Sequence, residues 1–232
     1  MNITINNKTD LDKHVNGRYF RDANITSIQF GNKFNEDITH LKFPLTLKNL
    51  KFGNTFNQYL NEYMFNHYND GKCKLDTLEF GRDYNKIYLH KSYIADSNDQ
   101  LSVNLEFLNN GNHIPIPARY DFVKKIIFGD NFNQQFYIGN VIEKVILNKE
   151  YNQLLPKFFY IYPDQTRIVD IYFPELYTKS LLKFDTRYSS IFPEYRKYIK
   201  FHMHKSYKNI LDNDSNMVIF YHHNPNAICF EE

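Results

Sequence analysis

One eleven-residue pattern recurs along the chain, and it constrains the fold more than any other feature, because a chain that repeats at short intervals folds by stacking its copies. Ile25, Ile28, Phe30, Gly31, Phe34 and Asn35 fill the same slots as Leu47, Leu50, Phe52, Gly53, Phe56 and Asn57. Leu75, Leu78, Phe80, Gly81, Tyr84 and Asn85 fill them again, and after a gap so do Val123, Ile126, Phe128, Gly129, Phe132 and Asn133. A fifth copy (Ile142, Val145, Leu147, Asn148, Tyr151, Asn152) keeps the frame with asparagine in the glycine slot. Four of the chain's 8 glycines share that slot. The first spacing, Ile25 to Leu47, is 22 residues, and later ones are near 20 or near 27. The gap holds a worn copy, Leu105-Glu-Phe107-Leu108, with no aromatic–asparagine pair behind it.

In each copy the second aliphatic and the first aromatic stand two residues apart, so on an extended strand they face the same way. Ile28 with Phe30, Leu50 with Phe52, Leu78 with Phe80 and Ile126 with Phe128 are therefore expected to face inward. One copy cannot bury such a pair alone, whereas stacked copies share a core. The glycine is expected to take a positive φ and turn the chain out of the strand. The second aromatic (Phe34, Phe56, Tyr84, Phe132, Tyr151) then returns to the core. The asparagines behind it are expected to form a ladder that satisfies turn backbone groups. The fold class this predicts is a β-rich repeat solenoid, leucine-rich-repeat-like, with short parallel strands on one face and turns and few short helices on the other. The insert from Leu60 to His67 has helical spacing and is the place where a helix is expected.

The strings resemble the FNIP repeat, a relative of the leucine-rich repeat found in social amoebae and in giant viruses of amoebae. Leu47 to Gln58 and Val123 to Gln134 carry the resemblance best, and Pro44 stands where that family often has a proline. The resemblance covers roughly residues 25–155. Many members carry an F-box ahead of the repeats. Residues 1–24 are too few for one, so the resemblance implies a scaffold lacking an F-box. These residues are expected to cap the stack, and residues 156–232 to hold degenerate repeats and a C-terminal cap. Strands are expected around Ile168–Phe173, Leu182–Phe184, Ile199–Phe201 and Val218–Phe220.

Lys and Arg number 28 against 26 Asp and Glu, without long runs of one sign. The electrostatic excess that dominates nucleic-acid affinity is missing, and no apolar run is long enough for a membrane span. With 19 Tyr and 21 Phe but no Trp, the chain is rich in aromatics, yet they fall in the inward register rather than on a base-stacking surface. The polar start and the two distant cysteines, Cys73 and Cys229, lead to the expectation of a cytoplasmic protein (of the host cell if viral) with no disulfide framework.

No phosphate-binding, dinucleotide, nucleophile-elbow or zinc-protease motif occurs, so neither catalysis nor a cofactor is expected. The one metal alternative is His202, His204 and His222, with imidazoles on neighbouring strands. The partner expected instead is another protein. Its binding face would be the open side of the sheet, through Gln29, Lys51, Glu79, Lys125, Ile127, Lys144 and Ile146, with Ile127 and Ile146 as an exposed apolar pair. Self-association as a homo-oligomeric structural protein, and a metal protein or enzyme built on the histidines, are the alternatives.

Overall fold

Each copy of the pattern contributes one short strand, and the strands pair in chain order. In the computed structural model the described residues are 1–67, 71–86, 88–89, 94–95, 101–102, 107–108, 112–113, 122–134, 136, 141–153, 169–177, 199–204 and 218–222. Nine strands form one sheet: β1 (Asn2–Ile5), β2 (Ser27–Phe30), β3 (Asn49–Lys51), β4 (Leu75–Glu79), β5 (Val123–Ile127), β6 (Lys144–Ile146), β7 (Val169–Tyr172), β8 (Ile199–His204) and β9 (Val218–His222). All eight pairings are parallel. The chain is thus a β-rich repeat fold with few helices among its described residues.

Register aligns the inward slots from strand to strand. Ile28 lies opposite Leu50, Leu50 opposite Leu78, Leu78 opposite Ile126, Ile126 opposite Val145, and Val145 opposite Ile171. All are buried. Beside them runs a row of Phe30, Phe52, Phe80 and Phe128, with successive ring centroids 5.1, 5.5 and 5.8 Å apart and nearly parallel planes. A second row, Phe34, Phe56, Tyr84, Phe132 and Tyr151, repeats at 6.4, 6.3, 6.1 and 6.1 Å. Stacked aromatic pairs contribute about 0.5–1.5 kcal/mol each beyond the area they bury, so the two rows bind rung to rung strongly. Away from the strands Phe20, Phe43, Phe65 and Phe122 make a third row, with contacts of 5.7, 5.2 and 4.0 Å.

The asparagine ladder forms as the pattern requires. The Asn57 backbone N–H donates to Asn35 Oδ1 at 2.8 Å, and Asn85, Asn133 and Asn152 each donate to the preceding asparagine's Oδ1 at 2.9 Å. Each bond satisfies a turn amide that would otherwise be left without an acceptor in a packed stack.

The repeat glycines have another purpose than the expected positive φ, which among the described glycines belongs to Gly17 alone (φ 59°). Each opens a turn closed by the second aromatic: the Phe34 N–H donates to Gly31 O at 3.0 Å, and the Phe132 N–H to Gly129 O at 3.1 Å. A Cβ on Gly53, Gly81 or Gly129 would overlap the carbonyl of the preceding repeat glycine. The slot needs glycine because the backbones of successive turns touch there. Asn148 ends the glycine series, and its Nδ2 donates back to Phe128 O at 2.7 Å.

One further expectation is corrected. Residues 60–67 make no α-helix. Asn61 accepts the Met64 N–H at 3.2 Å, and the Phe65 N–H closes on Glu62 O, giving a single 3₁₀ turn, Glu62–Met64, between two-residue strands. The Met64 carbonyl is taken by the Phe43 N–H at 2.9 Å, which ties this turn to the previous unit. The worn copy near residue 107 is not a rung: Phe107–Leu108 pairs antiparallel with Asn112–His113, while β4 pairs directly with β5. The α-helix Lys8–His14 was not anticipated; Asn7 caps it, accepting the Asp10 N–H at 3.0 Å. β7, β8 and β9 extend the sheet past residue 155, and Leu182–Phe184 lies outside the described residues.

Tyr151 carries a local cost. Its hydroxyl is buried without a hydrogen-bond partner among the described residues, and burial pushes its pKa well above the usual phenol range. Since Phe occupies the same slot at 34, 56 and 132, Tyr151→Phe is expected to stabilise the fold by about 1 kcal/mol, a rise in Tm of roughly 2–4 °C by differential scanning calorimetry. A fall would mean that the hydroxyl holds a partner.

Candidate interaction face

Side chains that do not point into the core form two outward rows along the sheet. One runs Thr4, Gln29, Lys51, Glu79, Ile127, Ile146, Tyr172 and His202, each in register with the next. The other runs Asn2, Ser27, Asn49, Thr77, Lys125, Lys144 and Asp170. All seven residues expected on the open face therefore do share one side, but their surroundings differ.

Gln29 and Lys51 are exposed, and Lys51 Nζ lies 2.6 Å from Glu79 Oε1. That pair is half-exposed and contributes about 0–1 kcal/mol, so it fixes local charge more than stability. Lys125, Ile127 and Lys144 are half-buried. Ile146 departs from expectation, being only 1% exposed. It sits between Ile127 and Tyr172 in the same row and packs with them in an apolar cluster separate from the main core. Outward position on a strand did not mean exposure here: Ile146 and Tyr172 are both buried, and Ile127 is half-buried.

Tyr172, His202 and Asp170 complete this corner. The Tyr172 ring stacks on the His202 imidazole, centroids 4.0 Å apart and planes within 8°. His202 Nε2 lies 2.7 Å from Asp170 Oδ1, and Lys144 Nζ lies 5.1 Å from the centre of the Tyr172 ring. Asp170 had no signal of its own in the sequence. Only the register, which sets β8 beside β7, brings it to the histidine.

Of the three histidines of the metal alternative, His202 is held by Asp170 and Tyr172, while His204 and His222 are register partners at the far end of β8 and β9. Among the described residues no group of three or more His, Cys, Asp or Glu could hold a metal ion. Cys73 is a free, buried thiol, and burial pushes its pKa up to about 12, so it stays protonated at neutral pH and is a poor nucleophile. No helix among the described residues is long and apolar enough to cross a membrane.

One residue of the repeat escaped the sequence pattern. Tyr177 stacks on Tyr151 at 6.1 Å, and its hydroxyl donates to Gln153 O at 3.1 Å, so the second aromatic row continues one rung further. The signal was present: Phe173 and Tyr177 keep the spacing of Phe30 and Phe34, with Pro174 in the glycine slot.

A parallel sheet laid down in chain order, bound by aromatic rows and an asparagine ladder, defines a β-rich repeat protein. Residues 23–55, which hold the first copy of the pattern and most of the second, match the family model described as FNIP Repeat. No curated protein and no solved structure matches the chain.

Proposed function

We propose that the chain is a leucine-rich-repeat-like solenoid that acts as a non-enzymatic protein–protein interaction scaffold through the open face of its sheet. The observation that carries this reading is the apolar cluster of Ile127, Ile146 and Tyr172, which lies on the outward rows, apart from the main core, and is flanked by lysines. A repeat unit keeps its inward slots for folding and leaves the outward ones free to vary, and apolar groups bordered by polar ones are what binding surfaces use. In this reading the partner is a protein met in the cytoplasm (of the host cell if the chain is viral), and the chain acts on it directly or as a substrate adaptor.

The test is affinity capture from amoebal lysate, read by mass spectrometry, with wild type beside Ile127→Asp. Ile127 is the residue to change because it is only half-buried, whereas a carboxylate at Ile146 would be buried and would unfold the rung. A protein captured by wild type is expected to be lost at least tenfold from the variant, whose fold is checked by circular dichroism. Identical captured sets would remove the open face as the binding surface.

A further inference from the structure

The lysines of the open side are compensated unequally. Lys51 has Glu79 at 2.6 Å. Lys125 and Lys144 are direct register partners on β5 and β6, both half-buried, and neither has a carboxylate within ion-pair distance among the described residues. Like charges directly opposite on adjacent strands repel, and partial burial removes some of the water that would screen them. Lys144 lies near the face of the Tyr172 ring, a contact that attracts the ammonium but leaves its charge in place. Asp170, the next residue in the row, has Oδ1 at 2.7 Å from His202 Nε2 rather than on Lys144. The result is two adjacent positive charges beside an apolar shelf, at a position where folding alone favours neither.

We propose that this corner receives an acidic segment of a protein partner, with a carboxylate seated between Lys125 and Lys144 and the apolar residue next to it resting on Ile127. The proposal rests on the scaffold reading above and gives its partner a chemistry. A carboxylate would turn the repulsion between the two ammonium groups into two charge-assisted bonds. The shelf adds a demand for an apolar side chain, which a free anion does not meet. A nucleic acid would need a longer basic track than this, and the chain's net charge is only +2, with Lys51 on the same face already paired to Glu79.

The experiment is selection from a random peptide display library on wild type and on the variant Lys125→Glu, Lys144→Glu, with Lys125→Gln, Lys144→Gln as the milder substitute if the first does not fold. Wild type is expected to enrich peptides that join Asp or Glu to an apolar residue, and their affinity for the variant should fall at least tenfold. Enriched peptides without an acidic bias, yet lost on Ile127→Asp, would overturn the acidic partner while leaving the scaffold. Failure to enrich any peptide lost on Ile127→Asp would count against both. Oligothymidylate binding that disappears with the same lysines would replace the proposal with a nucleic-acid site. The repulsion has its own readout: Lys144→Gln should raise Tm by roughly 1–3 °C at low salt and by less at high salt. A fall in Tm would mean that the lysine is compensated, and would overturn the premise.

Discussion

Gly81→Ala is expected to destabilise the protein by about 3 kcal/mol, lowering Tm by roughly 6–12 °C, although it adds one methyl group and leaves φ in a region open to any residue. The added carbon would overlap the Gly53 carbonyl oxygen and carbon and the Asn54 Cα, all backbone atoms of the previous turn. Side chains relieve overlap by changing rotamer, but a backbone turn can move only by opening the rung. The turns are also joined directly, through the Asp83 N–H on Asn54 O at 2.9 Å and the Asn85 N–H on Asn57 Oδ1 at 2.9 Å, so separating them strains these bonds as well. Gly17 provides the contrast: a Cβ there meets nothing within 4 Å, but its φ of 59° disfavours side chains. Gly17→Asn should therefore cost little, because asparagine tolerates this conformation. Thermal unfolding of the two variants side by side checks both claims, and a Gly81→Ala protein as stable as wild type would refute the close approach of the turns.

Phe128→Ala is expected to cost about 3–5 kcal/mol, enough to lower Tm by roughly 6–20 °C. The ring is fully buried and lies 5.8 Å from Phe80, 3.9 Å from Phe132 and 5.1 Å from Phe136. It holds together the two rungs on either side of the long insert after residue 86. Stability in stacked repeats depends on contacts between nearest neighbours, so the loss falls on one interface, and unfolding should become less cooperative. Calorimetry is expected to give a broadened transition, whereas a sharp transition with an unchanged midpoint would mean that the aromatic rows do not carry the coupling.

Much of the fold was legible because the core slots obey simple spacing. The pair two residues apart marks a strand's inner face, and the aromatic–asparagine pair marks the turn. Burial of Phe34, Phe56, Tyr84, Phe132 and Tyr151 and the asparagine bonds follow from that spacing. The role of the glycines was not legible, since a positive φ and a close approach both select glycine, and only the distance between turns separates them. Phe107 and Leu108 have the residue types of a rung but no aromatic–asparagine turn behind them, and β4 pairs with β5 without them. Tyr177 was missed because proline in the glycine slot hid an intact aromatic spacing. Within the candidate face, register could be read and exposure could not: Ile146 and Tyr172 face outward yet are buried, and the Asp170–His202 contact depends on residues 32 apart in sequence.

The central claim is that each copy of the pattern forms one rung and that the rungs lie in chain order, with Leu75–Glu79 directly beside Val123–Ile127 across the insert. Methyl–methyl NOE spectroscopy on selectively labelled protein tests it most directly, because Leu50, Leu78, Ile126 and Val145 stand in one buried row. Cross-peaks from Ile126 to both Leu78 and Val145, and from Leu78 to Leu50, are the predicted result. Cross-peaks joining Ile126 to Leu108 in place of Leu78 would place the worn copy between the two strands and contradict the account.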